Sequence, residues 1–255
     1  MKRIKICVYQ SLCDYARSSH SAQAGDVSEN IQKFAADFLL ALKLNQSVDN
    51  HLAKLSAFPP HLLLEELRSD QEKKTFWINC YNAFFLYLRR DQGIEKPAIF
   101  REKLCPIAGQ EFSLDEIEHG ILRRYRAKLA LGYLPNLFSP KSIRQLAVKQ
   151  IDARVHFALN CGAVSCPPIA FYSVEKIDQQ LDWASESFLE SETDVLPAQK
   201  EIHFSRLGYW YLGDFRGRRG IRKMVQQYLN VVTKGYRVIF KDYNWEEDLD
   251  NFAEE

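Results

Sequence analysis

Hydrophobic spacing divides most of this chain into short helices. Ile31, Phe34, Phe38 and Leu42 recur at helical intervals, with Ala35, Leu39 and Ala41 beside them, and predict a helix over 27–43. After a polar link from Asn45 to Asn50, His51–Ala57 and His61–Arg68 read as two short helices parted by Phe58-Pro59-Pro60. Gln71–Arg90 carries the strongest pattern: Trp77, Tyr81, Phe84 and Leu88 form one stripe, widened by Phe76, Cys80 and Phe85. A helix apolar nearly all round belongs in the middle of a fold. Acids before it and arginines at its end suit the helix dipole.

The stretch from Gly93 through Gly109 has no period. Ser113 and Glu116 then have capping-box spacing. The helix they open, Leu114–Leu129, turns Leu114, Ile117, Ile121 and Tyr125 to the core. His119 lies about 200° from Ile117 at α-helical pitch and leaves that stripe. Asp115 stands one turn before it and Arg123 one turn after. Gly120 costs about 1 kcal/mol against alanine in a helix, a cost more easily understood if something packs closely beside His119. A solvent-facing histidine is the plainer reading of the same pattern.

Leu131–Ser142 is a proline-punctuated loop and Ser142–Gln150 a short helix. In Arg154–Leu159, Val155, Phe157 and Leu159 alternate with Arg154, His156 and Ala158, which predicts a buried strand. Cys161 continues its apolar parity and Gly162 ends it. The loop GAVSC follows, closed by Pro167-Pro168, which cannot donate to a sheet. Beyond it come a helix from Ser173, with Ile177, Leu181, Ala184 and Phe188 inward, and a strand over Glu201–Leu207. A helix at Gly220–Leu229, a strand at Tyr236–Phe240 and an acidic, solvated tail from Glu246 complete the chain. The elements describe a helix-rich α+β domain over residues 26–250, with a small sheet around a central buried helix, after a lead-in of residues 1–25.

Composition changes little. With 46% apolar and 26% charged residues and a net charge of +1, nothing in the bulk electrostatics calls for nucleic acid or an anionic membrane. No window reaches the length of a membrane span, and MKRIKICVYQSLCDY lacks a convincing cleavage site, so the expected setting is the cytoplasm. A longer precursor with its leader removed is the alternative. Six cysteines in 255 residues, with no CxxC pair, are too sparse for a disulfide scaffold.

Four segments in order carry a resemblance: FWINCYNAF (Phe76–Phe84), SLDEIEHGILR (Ser113–Arg123), RVHFALNCGAVSCPP (Arg154–Pro168) and VIFKDYNW (Val238–Trp245). Together they resemble the family called domain of unknown function 547, over roughly residues 27–250. The resemblance implies one mixed helix-and-strand domain, sometimes joined to glutaredoxin-like modules, with no activity established for the family. It places Cys161 and Glu118-His119 in family motifs, with Cys166 less constant. Asn244 stands where the terminal motif usually has aspartate.

The residues lean towards an enzyme: a thiol-dependent hydrolase or transferase acting on an amide, a small peptide or a thiol. Cys161 would be the nucleophile and His119 its base, oriented by Glu118, Asp115, Asn79 or Asn82. Asn79 and Asn82 share a face of the central helix, where a buried carboxamide must be hydrogen-bonded. The GAVSC turn, with Gly162 and Ser165, could offer backbone N–H donors to an oxyanion. His156 is an alternative base, set back by pointing to the other strand face. Cys166 is an alternative nucleophile or resolving thiol, and Cys80 an outside candidate on a helix of the kind found in cysteine peptidases and transglutaminases. No cofactor is called for; the glutaredoxin association makes glutathione the first ligand to try. Two readings stand against catalysis: a zinc site from His119, His156, Cys161 and Cys166, and an interaction or scaffold module whose cysteines only pack.

Overall fold

Asn30 opens the part of the chain that the computed structural model describes, residues 30–253. Its side chain accepts the amide protons of Gln32 and Lys33 and starts α1 (Ile31–Lys43). The lead-in of residues 1–25, with Cys7 and Cys13, lies outside the described residues. α2 (Asp49–Ala57) and α3 (Pro60–Glu66) follow where the spacing predicts two short helices. α4 (Asp70–Leu86) starts in a full capping box between Ser69 and Glu72 and buries every residue from Lys73 to Leu86. It continues into a π-helical turn at Tyr87–Asp91. Ile31, Phe34, Phe38 and Leu42 of α1 are all buried, with Phe38 edge-on to Phe84 of α4. The expected central helix is therefore in place.

After the one-turn α5 (Ala98–Arg101), a small antiparallel hairpin forms where no period is visible. Its strands are β1 (Cys105–Ile107) and β2 (Gln110–Phe112). Three-residue strands, one holding Pro106, are too short to show alternation. Ala108 and Gly109 turn the hairpin with φ of 50° and 69° and donate to Leu55 and Ser56 of α2.

The Ser113–Glu116 capping box closes in both directions. The helix behind it is not the long α-helix expected. It is a π-helical segment, Glu116–Leu122, with wider bonds such as Arg123 N–H to the Glu118 carbonyl. Arg124 and Tyr125 then take φ of 51° and 49°, which stops it, and Tyr125 is only half-buried. A Cβ on Gly120 would lie 2.7 Å from Ile143 Cγ2, so close packing does explain that glycine. Ile143 belongs to α6 (Lys141–Leu146).

The predicted strand at Arg154–Leu159 is instead a 3-10 helix, Ala153–Phe157, with Asp152 accepting the Arg154 amide at its start. Val155, His156, Phe157 and Ala158 are all buried, so alternation in residue type here is not alternation in burial. The segment lies between two hydrophobic clusters. Val155 packs with α1 and α4, while Phe157 packs with a second group that includes Phe188, Phe204 and Phe215. α7 (Ile177–Glu192) also serves both, through Ile177 and Leu181 on one side and Phe188 and Leu189 on the other.

The second cluster rests on a three-stranded sheet. β3 (Asp194–Leu196) pairs antiparallel with β4 (Glu201–Phe204), which pairs parallel with β5 (Arg237–Phe240), Ile202 facing Val238. The crossover from β4 to β5 runs through α8 (Leu207–Trp210) and α9 (Gly217–Leu229). The result is a helix-rich α+β fold in which the central helix meets the hairpin through Trp77 and Phe112, while the three-stranded sheet carries the second cluster. Among the described residues no helix is long and apolar enough to cross a membrane.

The acidic tail is exposed at Glu246 and Glu247, as expected, but it is not free. It returns over the cysteine loop, pairing Ala163 with Glu247 and Ile169 with Phe252, and sets Leu249 and Phe252 on the first core.

Candidate functional site

The π-helical segment brings Glu118, His119 and Arg123 to one place. A guanidinium can only donate, so Arg123 Nη1 donates to His119 Nδ1, at 2.7 Å. That leaves the Nε2 proton toward Asp115 Oδ1, 3.5 Å away, and Glu118 Oε1 lies 3.4 Å from Nδ1. Only 12% of the His119 side chain is exposed, so it is not a surface histidine. Arg123 also donates through Nε to Asp214 Oδ2 at 2.5 Å, and His156 Nε2 donates to the same oxygen at 2.9 Å. The Tyr211 ring stacks on His156 at 3.8 Å and lies under the Arg123 guanidinium at 4.5 Å.

The loop at Leu131–Tyr133 closes over this network. Gly213 donates to the Leu131 carbonyl at 2.7 Å, and a Cβ on Gly213 would meet the Gly132 carbonyl carbon at 2.5 Å. Gly132, at φ 82°, lies against Asp214 Oδ1 and Arg123 Nη2 so closely that a side chain there would strike both. Burial raises the pKa of Glu118, but electrostatic attraction to the neighbouring His119 and Arg123 side chains and the facing Tyr211 hydroxyl outweigh it and leave the carboxyl below its usual range. Asp214 behaves alike: burial pushes it up, and its bonds to His156 and Arg123 pull it down further.

The second half of the site is the cysteine loop. Cys161 and Cys166 are joined by a disulfide across a sequence separation of 5. Cys166 is 5% exposed and Cys161 half-buried. The Cys161 backbone N–H donates to Cys166 Sγ at 3.0 Å. The Tyr243 hydroxyl lies 3.1 Å from Cys166 Sγ and 3.5 Å from Cys161 Sγ. Tyr243 is gripped by Trp210 and Trp245, with ring centroids 5.0 and 4.7 Å away. Burial, then the charges of Glu192 and Glu118, push its phenol pKa up. Glu118 acts in the same direction on Tyr81 and Tyr211, so one carboxylate influences three hydroxyls between the charged network and the disulfide.

The expected partners of Cys161 are held elsewhere. Among the described residues, the Cys161 sulfur bonds Cys166 and meets Tyr243, while the two imidazoles engage Arg123 and carboxylates. Asn79 donates to the Tyr172 carbonyl and accepts its amide. Asn82 does the same with Ala158 and Asn160. In the loop, Gly162 N–H goes to Asn160 Oδ1, Val164 N–H to Glu246 and Ser165 N–H to Asn244, so the amides expected to serve an oxyanion are engaged. The space beside Gly162 is filled by Phe85, whose Cζ would lie 2.7 Å from an added Cβ. Asn244 makes a local turn, its Oδ1 accepting the Glu246 amide at 2.9 Å. The zinc arrangement does not assemble, because the two sulfurs are spent on each other and His156 faces Asp214. Among the described residues no three His, Cys, Asp or Glu side chains are grouped to hold a metal ion.

Residues 64–189 match the model of the family Protein of unknown function, DUF547. Over that stretch the chain resembles the DUF547 family. No curated protein and no solved structure matches the chain, and the expected likeness to cysteine peptidases is not confirmed.

The DUF547 stretch contains Glu118, His119, Arg123, His156 and the paired Cys161 and Cys166. Tyr211, Asp214 and Tyr243 lie beyond it, and the sequence reading assigned them no chemistry. Tyr243 stands inside VIFKDYNW and Arg123 at the end of SLDEIEHGILR, so the signal was present. A tyrosine among aromatics reads as core, and only folding shows its hydroxyl against sulfur.

Proposed function

We propose that the chain is a cysteine-dependent enzyme carrying out thiol–disulfide exchange at Cys161–Cys166 on a thiol or thiol-bearing peptide. The observation that carries this reading is the bond between the two sulfurs in a half-exposed loop, with a tyrosine hydroxyl against both. A bridge across so short a loop removes the least chain entropy from the unfolded state, which makes it a poor staple. Exchange needs a thiolate to reach one sulfur, and Cys161 is the less buried residue of the two. In a cytoplasmic setting such a bond is transient and catalytic or redox-sensing. Glu118 is read as the charge that keeps the neighbouring tyrosines protonated, His119 as the ring that holds Arg123 beside it, and Asn79 and Asn82 as residues that position the loop. Hydrolysis of an amide by Cys161 would first require its bond to Cys166 to be reduced.

The test is brief reduction of the native protein with dithiothreitol, iodoacetamide labelling and mass spectrometry. Cys161 and Cys166 should become labelled and should re-pair on adding glutathione disulfide. Cys80 and Cys105 should stay unlabelled, since burial seals them and raises both thiol pKa values. A bond that resists reduction until the protein unfolds would defeat the reading. The interaction-module reading would then lead, on the loop where Leu134, Leu137 and Phe138 are 62%, 74% and 95% exposed.

A further inference from the structure

We infer that the two sulfurs have fixed and different roles: Cys161 is the one an incoming thiolate attacks, and Cys166 leaves as a thiolate held by the Tyr243 hydroxyl and the Cys161 backbone N–H. This assignment rests on the exchange reading above. Three observations separate the sulfurs. Cys161 is half-buried whereas Cys166 is 5% exposed, so approach is to Cys161. The amide of Cys161 points its proton at Cys166 Sγ, 3.0 Å away. The Tyr243 oxygen is nearer to Cys166 than to Cys161, 3.1 against 3.5 Å. Two donors therefore converge on the less accessible sulfur.

The surroundings keep Cys166 in position to accept them. Its backbone N–H donates to Ala163 and its carbonyl accepts from Asn251 Nδ2 at 3.1 Å. Asn160 Nδ2 donates to the carbonyl of Pro167, and its Oδ1 accepts the Gly162 amide, so one side chain straps both ends of the loop. Trp210 and Trp245 fix the Tyr243 ring. Burial and the carboxylates of Glu192 and Glu118 hold the proton on the phenol, which leaves it a donor.

The chemistry balances with a substrate thiol as the co-reactant. A substrate thiolate attacks Cys161 Sγ and forms a mixed disulfide. The Cys161–Cys166 bond breaks, and its electron pair goes to Cys166 as thiolate. A second substrate thiolate attacks the substrate sulfur of the mixed disulfide, and Cys161 departs as thiolate. Two substrate thiolates are oxidised to one disulfide, and the protein disulfide is reduced by the same two electrons. In reverse, Cys161 is the nucleophile toward a substrate disulfide. Hydrogen bonds to the leaving thiolate lower its basicity and so speed its departure.

Two measurements test the assignment in the full chain. Glutathione disulfide should form a mixed disulfide on Cys161 in Cys166→Ser at least about tenfold faster than on Cys166 in Cys161→Ser, since the nucleophile in exchange is the accessible thiolate. In Cys161→Ser, the midpoint of Cys166 thiolate absorbance against pH should rise by about one unit when Tyr243→Phe is added, the size expected for losing a hydrogen bond to a charged group. Equal capture rates, or a midpoint that Tyr243→Phe does not move, overturn the assignment while leaving exchange itself intact. Wild-type protein inert to dithiothreitol overturns the parent reading, and this one with it.

Discussion

Arg123 and Asp214 form an ion pair with 1% and 0% of their side chains exposed, the guanidinium Nε donating to Oδ2 at 2.5 Å. The pair joins the end of the π-helical segment to the turn after α8, residues 91 apart in sequence. Charges so fully removed from water are tolerated only while both are present. Removing one strands the other, and Asp214 would be left with His156 alone. Arg123→Met or Asp214→Asn should each cost about 3–5 kcal/mol. The double variant should cost less than the sum, because it strands nothing. Urea unfolding of the four proteins gives the answer, and strict additivity would mean that the pair is not coupled.

The same network sets a pH dependence. Burial holds His156 below its ordinary pKa, opposed by its hydrogen bond and charge attraction to Asp214; Arg123 also disfavours the imidazolium and Glu118 favours it. The unfolded chain has His156 near 6.5 and so takes up its proton first as pH falls. Where the unfolded state binds more protons, stability rises with pH. Stability should therefore decline as pH drops below about 6.5, down to the lower folded pKa. Asp214 and Glu118, also depressed, extend the loss at more acid pH in the same direction. His156→Gln keeps an N–H for Asp214 but cannot titrate. Its unfolding free energy should be flatter than wild type between pH 5 and 7, and an unchanged slope would assign the dependence to another group.

How much of this was legible depends on whether a signal was local. The spacing of Ile31, Phe34, Phe38 and Leu42, the apolar girth of Phe76–Phe85 and the Ser113–Glu116 box are properties of neighbours, and each folded as read. Arg154–Leu159 misled because period 2 in residue type implies a sheet only if one face is buried, and here both are. At His119, α-helical pitch put the ring on an outer face, whereas the π-helical segment sets it against Arg123, with the Tyr211 ring 6.3 Å away. The cysteines were visible as chemistry and their bond spans a sequence separation of only 5, but the Tyr243 hydroxyl reaches Cys166 from 77 residues away, which no local pattern encodes.

Asn82 tests whether the central helix touches substrate or only holds the loop. Its Nδ2 donates to the Ala158 carbonyl at 2.9 Å and its Oδ1 accepts the Asn160 amide at 3.0 Å, all buried. Asn160 in turn straps the loop through Pro167 and Gly162. Asn82→Ala would leave two buried backbone groups unpaired, at about 1–3 kcal/mol each before any relaxation. The expected outcome is a loss of about 2–4 kcal/mol in urea unfolding. Capture of glutathione at Cys161 in the Cys166→Ser background should persist under native conditions. The opposite result, unchanged stability with capture abolished, would mean that the carboxamide is spent on substrate and not on the loop. A buried side chain with both ends already bonded to backbone has no free atom to offer, so stability is where its loss should register.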